Sequence, residues 1–210
     1  MAASASEIIE GLRLEIRRLE RKPSIAAVRP VPSGRAAIDA LLPGGGFPRG
    51  ALAELCGGPA SGKTAVALAA LAAAMGERGL GAFVDGRGEL YPPAAAALGV
   101  DLDRLLVVRP AAGPGEPWPG LWAAEALLGS GAFEAVAVDV PVEGARGRAP
   151  GGAAVDAMLR RVRAAAEKGG SVGLWLARPE GPRIPAAVRL ELAAGDRVQR
   201  GSGREAIHAA

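Results

Sequence analysis

The sequence predicts an α/β fold in which a mostly parallel central sheet is flanked by helices, with an additional amino-terminal helix. Short apolar runs alternate with Ala-rich helical stretches from Ala51 onwards, which is typical of repeated strand–helix–strand units. The chain has 210 residues and is 50% hydrophobic, so a core can form without covalent cross-links. A capped amphipathic helical pattern precedes the alternating part.

The pattern divides the chain into four segments. They are an amino-terminal amphipathic helix (1–22), a linker (23–34), the α/β core (35–193), and a short strand with a flexible tail (194–210). Within the core, strands are predicted near 51–55, 81–85, 105–109, 135–140, 171–177 and 188–192. Helices are predicted near 63–78, 92–98, 121–128 and 153–168.

The amino-terminal helix begins at a capping box, because Ser4 and Glu7 have the required spacing, and it ends before Pro23. Its apolar stripe consists of Ile9, Leu12, Ile16 and Leu19. Two interpretations are open. The stripe packs on its own domain, or it docks in trans on a second copy or on another protein.

Composition excludes several classes of site. Cys56 is the single cysteine and His208 the single histidine, so neither an intrachain disulfide nor a Cys/His zinc site can form. The position of His208 in a Gly/Ala-rich tail disfavours a Ser-His-Asp triad. Aromatic residues make up only 3% of the chain, which disfavours a base-stacking platform.

The distribution of charged and apolar residues limits the cellular location and the partners that are expected. No apolar run reaches the length of a membrane span, and a signal-peptide pattern is missing, so a cytoplasmic protein is expected. The net charge is +3. This mild excess fits either a solvated Arg-rich surface or a basic face that meets nucleic acid.

The strongest chemical signal is a full G-x-x-x-x-G-K-[ST] match at 57–64, between a predicted strand and a predicted helix. In such a loop the lysine, Lys63, bridges the β- and γ-phosphates of a nucleotide, and Thr64 ligates magnesium. The expected nucleotide-binding residues are Gly57, Gly58, Pro59, Ala60, Ser61, Gly62, Lys63, Thr64 and Ala65. The alternative is a structural Gly-rich turn that binds no nucleotide.

A second element is the apolar strand near 135–140, which ends in a carboxylate at Asp139. This carboxylate follows the loop in the order expected for a residue that holds magnesium through water. Thr64 and Asp139 are therefore the predicted metal residues, and ATP with Mg²⁺ is the predicted cofactor.

With these elements the chain resembles the RecA-type ATPase core over roughly residues 33–192. The resemblance is carried by the phosphate loop, the segments GGGFPRG (44–50), AFVD (82–85) and VRLEL (188–192), Glu54, and the Asp139 strand. Within that superfamily, the segments LYPP (90–93) and DRLLVVRP (103–110) and Trp122 look most like the ImuA family. That resemblance implies an accessory role in bacterial damage-induced mutagenesis, beside a Y-family-like polymerase subunit and an error-prone replicative-type polymerase.

The departures from the recombinases concern hydrolysis and DNA. Where the recombinases carry a catalytic glutamate, two residues beyond the aspartate of the second strand, this chain has Arg87. Glu89 is either a substitute base or a solvated loop residue. Arg178, at the position of a γ-phosphate sensor, is either a phosphate contact or surface charge.

The loop at 141–152 carries Arg146 and Arg148 in the position of the recombinases' first DNA-contacting loop, and predicts at most weak binding of single-stranded DNA. Three hypotheses follow. The chain is an accessory module for translesion DNA synthesis that binds ATP with weak or absent hydrolysis, an active DNA-dependent ATPase or recombinase, or a nucleotide-binding regulator that acts on proteins without DNA.

Overall fold

The computed structural model of this protein describes residues 29–111, 118–141, 152–193, 199–200 and 207–209. Eight strands form one sheet: β1 Ala51–Cys56, β2 Gly81–Asp85, β3 Leu105–Val108, β4 Ala135–Asp139, β5 Val172–Ala177, β6 Val188–Leu192, β7 Gln199–Arg200 and β8 Ile207–Ala209. In the described ranges five α-helices accompany it: α1 Ala36–Asp39, α2 Lys63–Met75, α3 Pro92–Ala97, α4 Pro119–Gly129 and α5 Gly152–Gly169.

The strand order is β3-β2-β4-β5-β1-β6-β8-β7, and among the described strands only β7 runs antiparallel to its neighbour. The predicted α/β fold with a mostly parallel sheet is thus confirmed. The crossovers place α2 on one face of the sheet, and α4 and α5 on the other. Both faces are covered, which explains why β2 and β4 are buried along their whole length rather than alternating.

Side-chain alternation along β1 divides the core into two layers. Ala53 and Leu55 face the layer that contains α2, whereas Leu52 and Cys56 face the layer that contains α4 and α5. Because β1 lies between β5 and β6, the segment that follows it leaves the middle of the sheet at its carboxyl edge. That edge is where open α/β sheets bind ligands.

Helix α2 is shorter than predicted. It ends at Met75 rather than continuing to 78, because Gly76 adopts a positive φ of 47° and donates its N–H to the carbonyl of Ala72. The guanidinium of Arg104 then binds the carbonyl oxygens of Gly76 and Gly79, at 2.8 and 2.9 Å. This cation satisfies carbonyls at the negative end of the helix dipole. Helix α4 begins two residues before the prediction, with Pro119 in the first turn, where a missing N–H costs nothing.

The ordered core extends into the segment predicted as a linker. Val31 and Phe47 exchange backbone hydrogen bonds at 2.8 and 2.7 Å, and both side chains are buried. The Ser33 N–H donates to Asp39 Oδ1 at 2.6 Å. Apolar burial at Val31 and turn hydrogen bonds at Ser33 therefore fix residues that precede position 35.

The segment after residue 193 contributes two short strands where one was predicted. β8 pairs parallel with β6, and β7 pairs antiparallel with β8. The helix predicted at 1–22, with Ile9, Leu12, Ile16 and Leu19, lies outside the described residues, as do Arg146 and Arg148. In the part of the chain that is described, none of the helices is both long enough and apolar enough to cross a membrane.

Candidate nucleotide-binding site

The loop at 57–64 connects the end of β1 to the start of α2, as its motif predicts. Two residues hold it in a tight turn, since Ala60 and Gly62 have positive φ angles of 60° and 82°. Ala60 is the only residue other than glycine with a positive φ among the described residues. A strained backbone of this kind is common where a loop is shaped for a ligand.

Gly57 is required by close packing at the root of the loop. A side chain there would collide with Ser61 Oγ and would lie 2.6 Å from the carbonyl oxygen of Leu192. The Gly57 N–H donates to the Ala177 carbonyl at 3.2 Å. The loop is thereby fixed to the carboxyl ends of the strands on both sides of β1.

The start of α2 leaves its backbone donors available. The first N–H groups of a helix lack intrahelical acceptors, and Gly62, at the cap position, supplies no side-chain hydrogen bond. Ser61 Oγ is buried and has no hydrogen-bond partner within the described residues. Unsatisfied donors at the positive end of a helix dipole suit a phosphate group.

Lys63 lies against this loop. Its ammonium group donates to the carbonyl oxygens of Gly57 and Gly58, at 3.0 and 3.1 Å. The charge is therefore held over the concave side of the turn. Thr64 follows in the first turn of α2 and is partly buried. The residues from 57 to 65, which the sequence assigns to nucleotide binding, thus form one continuous loop and the first turn of α2.

Asp139 lies at the end of β4, two strands away from β1, and its partner is Arg87. Arg87 Nε donates to Asp139 Oδ1 at 2.9 Å, with side-chain exposures of 18% and 10%. The arginine that replaces the recombinases' glutamate is thus turned onto the carboxylate predicted to hold magnesium. The sequence identified the substitution at 87 but gave no indication of this ion pair.

Burial raises the pKa of Asp139 above its usual value of 3.8, and the positive charge of Arg87 opposes part of that shift. Glu89 adds to the increase and Lys63 opposes it, so both charges lie close enough to act on this carboxyl. Glu89 itself is exposed, and its backbone N–H donates to Asp85 Oδ1 at 2.9 Å. The structure places Glu89 near Asp139, and both of its predicted roles, as a substitute base and as a solvated loop residue, stay open.

Asp85 ends β2 and stands in register with Asp139. Its side chain is fully buried and accepts the N–H groups of Glu89 and Leu90 and the Nε–H of Arg109. These bonds fix the turn that carries Arg87. Asp85 therefore positions the loop rather than facing a ligand.

Arg178 is exposed directly after β5. Its neighbour Ala177 accepts the Gly57 hydrogen bond, so the backbone at 178 lies beside the phosphate loop. No hydrogen bond or ion pair of the Arg178 side chain occurs within the described ranges, which leaves both predicted roles open.

A buried polar cluster lies behind the loop, and the sequence prediction missed it. Arg189 Nη1 donates to Glu54 Oε1 at 2.7 Å, and its Nη2 contacts Cys56 Sγ at 3.2 Å. Burial raises the pKa of Glu54, and Arg189 opposes that shift. One signal was available: a glutamate inside the apolar strand ALAELC needs a cation, and the alternation of VRLEL puts Arg189 on the matching face.

This site offers a magnesium ion few protein ligands. Thr64 offers one neutral oxygen, while the charge of Asp139 is already compensated by Arg87. No group of three or more His, Cys, Asp or Glu side chains that could hold a metal exists among the described residues. The residues present therefore do not fit a magnesium ion that Asp139 would ligate directly, because Arg87 compensates its charge. The contact of Asp139 with magnesium through water stays a prediction.

Comparison with known proteins gives a consistent picture. Residues 11–146 match the RecA N-terminal domain family. A Protein RecA of Lactobacillus delbrueckii subsp. bulgaricus is 44% identical over 109 residues, covering 52% of this chain and 32% of that protein. Protein RecA of Corynebacterium urealyticum is 45% identical over 120 residues, covering 57% of this chain and 30% of that protein. The matched part of the chain thus spans about a third of the length of these curated relatives.

Proposed function

Because the chain belongs to the RecA N-terminal domain family, we propose that it is a RecA-like protein that binds ATP with weak or absent hydrolysis and serves as an accessory protein in damage-induced translesion DNA synthesis. The observation that carries this proposal is the pair between Arg87 and Asp139, beside an intact phosphate loop. The loop keeps the means of binding a nucleotide. The pair removes the usual means of hydrolysing it.

Nucleotide binding is supported by three groups of donors at one edge of the sheet. These are the uncapped amides at the start of α2, the buried hydroxyl of Ser61, and the ammonium group of Lys63. All three are on the chain segment that joins β1 to α2, so their spacing is set by backbone geometry. A polyphosphate is the ligand that such a set of donors recognises.

Weak hydrolysis is supported by the residues that stand where a general base would activate the attacking water. A general base typically contributes roughly 10²- to 10⁴-fold in rate, and it must reach the proton that it removes. Arg87 cannot accept a proton. Glu89 is exposed, and its hydrogen bond among the described residues is the one that its backbone N–H donates to Asp85. Binding without efficient turnover suits a module whose nucleotide stabilises an assembly.

Calorimetric titration of ATP into the full chain tests binding. We expect Lys63→Ala to weaken affinity by roughly tenfold or more, because a charge-assisted contact to phosphate is lost. Lys168→Ala is the matched control, since Lys168 is exposed at the far end of α5. Equal affinity of the wild-type protein and the Lys63→Ala variant would show that the loop is a structural turn.

The accessory role is supported by exposed apolar side chains on the described surface. Tyr91 is 67% exposed and Trp122 58% exposed, and both belong to the segments that resemble the ImuA family. Leu106 and Val107 are exposed on β3, which is the edge strand of the sheet. Unpaired edge strands and exposed aromatic residues mark sites of protein contact. The proposed partners are the Y-family-like and error-prone polymerase subunits, with self-association through the stripe at Ile9, Leu12, Ile16 and Leu19 as a further possibility.

Co-purification of the full chain with the two polymerase subunits tests the partners. We expect a stable complex that Leu12→Asp weakens, while ATP turnover stays slow and responds little to single-stranded DNA. Arg146→Ala combined with Arg148→Ala should lower both the weak affinity for single-stranded DNA and the salt dependence of that affinity. Rapid turnover that single-stranded DNA stimulates would contradict the accessory role and favour an active DNA-dependent ATPase.

A further inference from the structure

We propose that Arg87 is a phosphate-binding residue that supplies the positive charge a divalent metal would otherwise supply, so that this site binds a nucleoside triphosphate equally well with and without magnesium. This inference rests on the nucleotide binding proposed above. It adds a binding residue outside the phosphate loop and specifies which form of the nucleotide is bound.

The position of Arg87 is the first support. The carboxyl ends of β4 and β1 are separated by one strand, β5, so Asp139 lies about 10 Å from the end of β1 at the spacing of parallel strands. Lys63 is near enough to lower the pKa of Asp139. A guanidinium bound to Asp139 therefore lies at the same edge of the sheet as the ammonium group over the loop.

The donors of Arg87 are the second support. Only its Nε–H is engaged by a protein acceptor within the described residues, at 2.9 Å from Asp139 Oδ1. Its two Nη amino groups carry further N–H donors in a planar fork. A fork of this kind matches the oxygens of a phosphate group. The side chain is 18% exposed, which leaves the fork accessible from one side while the carboxylate orients it from the other.

The charge balance is the third support. A metal bound directly to Asp139 would have to displace a partly buried guanidinium, and both partners of the pair would then need new hydrogen bonds. Thr64 alone offers a single neutral oxygen to such an ion. With Arg87 in place, Lys63 and the fork supply positive charge to a polyphosphate without any metal held by the protein.

Calorimetry with the non-hydrolysable ATP analogue AMP-PNP tests the inference on the full chain. Titrations are carried out in excess magnesium and in excess EDTA. We expect the two dissociation constants of the wild-type protein to differ by less than about threefold. For Arg87→Ala we expect affinity in EDTA to fall by roughly tenfold or more, with magnesium restoring part of the loss.

Two variants control for structure and charge. Arg109→Ala removes an arginine that makes the same Nε contact at 2.9 Å with a carboxylate on the neighbouring strand, and it should leave the response to magnesium unchanged. Arg87→Lys keeps the charge but loses the fork, so it should retain only part of the affinity in EDTA. Thermal melting of each variant confirms that it is folded, and the wild-type comparison needs no variant at all.

Three results would overturn the inference. Wild-type affinity that falls more than about tenfold in EDTA shows that a metal is required, while the proposed nucleotide binding stands. An Arg87→Ala variant that matches wild type in EDTA shows that Arg87 does not contact phosphate. The absence of binding under both conditions refutes the proposed nucleotide function itself, and the inference with it.

Discussion

Two aspartate–arginine pairs stand side by side at the carboxyl edge of the sheet, and they differ in how completely they are satisfied. Asp85 and Asp139 are in register, and each accepts an arginine Nε–H at 2.9 Å. Asp85 also accepts two backbone N–H groups, so both of its oxygens are used. The side chain of Asp139 accepts one hydrogen bond, from Arg87, among the described residues. One pair is part of the scaffold, and the other retains capacity for a ligand.

The difference extends to the arginines. Arg109 is 61% exposed, so water screens its interaction with Asp85, and the backbone bonds hold that carboxylate instead. Arg87 is 18% exposed, so its interaction with Asp139 is little screened. Identical contact distances therefore describe a structural carboxylate in one case and a charge-compensated site in the other.

The largest expected effect is on the free energy of unfolding, when each carboxylate in turn is replaced by a neutral amide. Asp85→Asn should lower the free energy of unfolding by about 2 to 3 kcal/mol, because an amide nitrogen would face buried N–H donors. Asp139→Asn should cost at most about 1 kcal/mol, because it also removes a desolvated charge. Chemical denaturation measures both. A larger loss for Asp139→Asn would reverse the proposed division between scaffold and site.

A smaller expected effect is the pH dependence of the stability that the pair of Arg87 and Asp139 contributes. The pKa of Asp139 is raised, mainly by burial, so its contribution to stability is fully present below 3.8 and is lost as pH rises through its folded-state value. Arg87 opposes that shift, so Arg87→Ala should cost about 1 to 2 kcal/mol at neutral pH and progressively less as the carboxyl becomes protonated.

Denaturation of Arg87→Ala at a series of pH values measures this dependence, and Asp139→Asn provides the control background. In that background the cost of Arg87→Ala should lose its pH dependence, because the titrating partner is gone. A cost that stays constant with pH in the wild-type background would mean that Arg87 stabilises the fold by packing rather than by charge.

Local patterns predicted the fold and the phosphate loop because each rests on residues that are close in sequence. The strand at 135–139 is recognised from a run of adjacent apolar residues. The phosphate loop is likewise recognised from glycines that lie within a few positions of each other, at 57 and 62. The alternation of predicted strands and helices was sufficient to predict a mostly parallel sheet. The predicted end of α2 was wrong because a single backbone geometry, at Gly76, decides it. The contact between Val31 and Phe47 joins residues that are distant in sequence, so no local pattern predicted it.

The ion pairs could not be predicted from the sequence because their two partners come from separate strands. Arg87 and Asp139 are brought together by the adjacency of β2 and β4, which run side by side although β3 lies between them in the chain. The same holds for Arg189, which reaches Glu54 across the β1–β6 contact. Strand order is set by the packing of the whole sheet, and no short pattern encodes it.

The strand order also determines when the phosphate loop can acquire its shape. Gly81 of β2 pairs with Leu105 of β3, so that pair closes over a short stretch of chain, whereas Ala51 of β1 pairs with Val172 of β5. Contacts between distant segments carry a larger loop-closure entropy and form slowly. During synthesis, β1 leaves the ribosome early and waits for most of the chain to emerge before its neighbours arrive. We therefore expect β1, and with it the loop at its end, to be fixed in the sheet later than the β2–β3 pair.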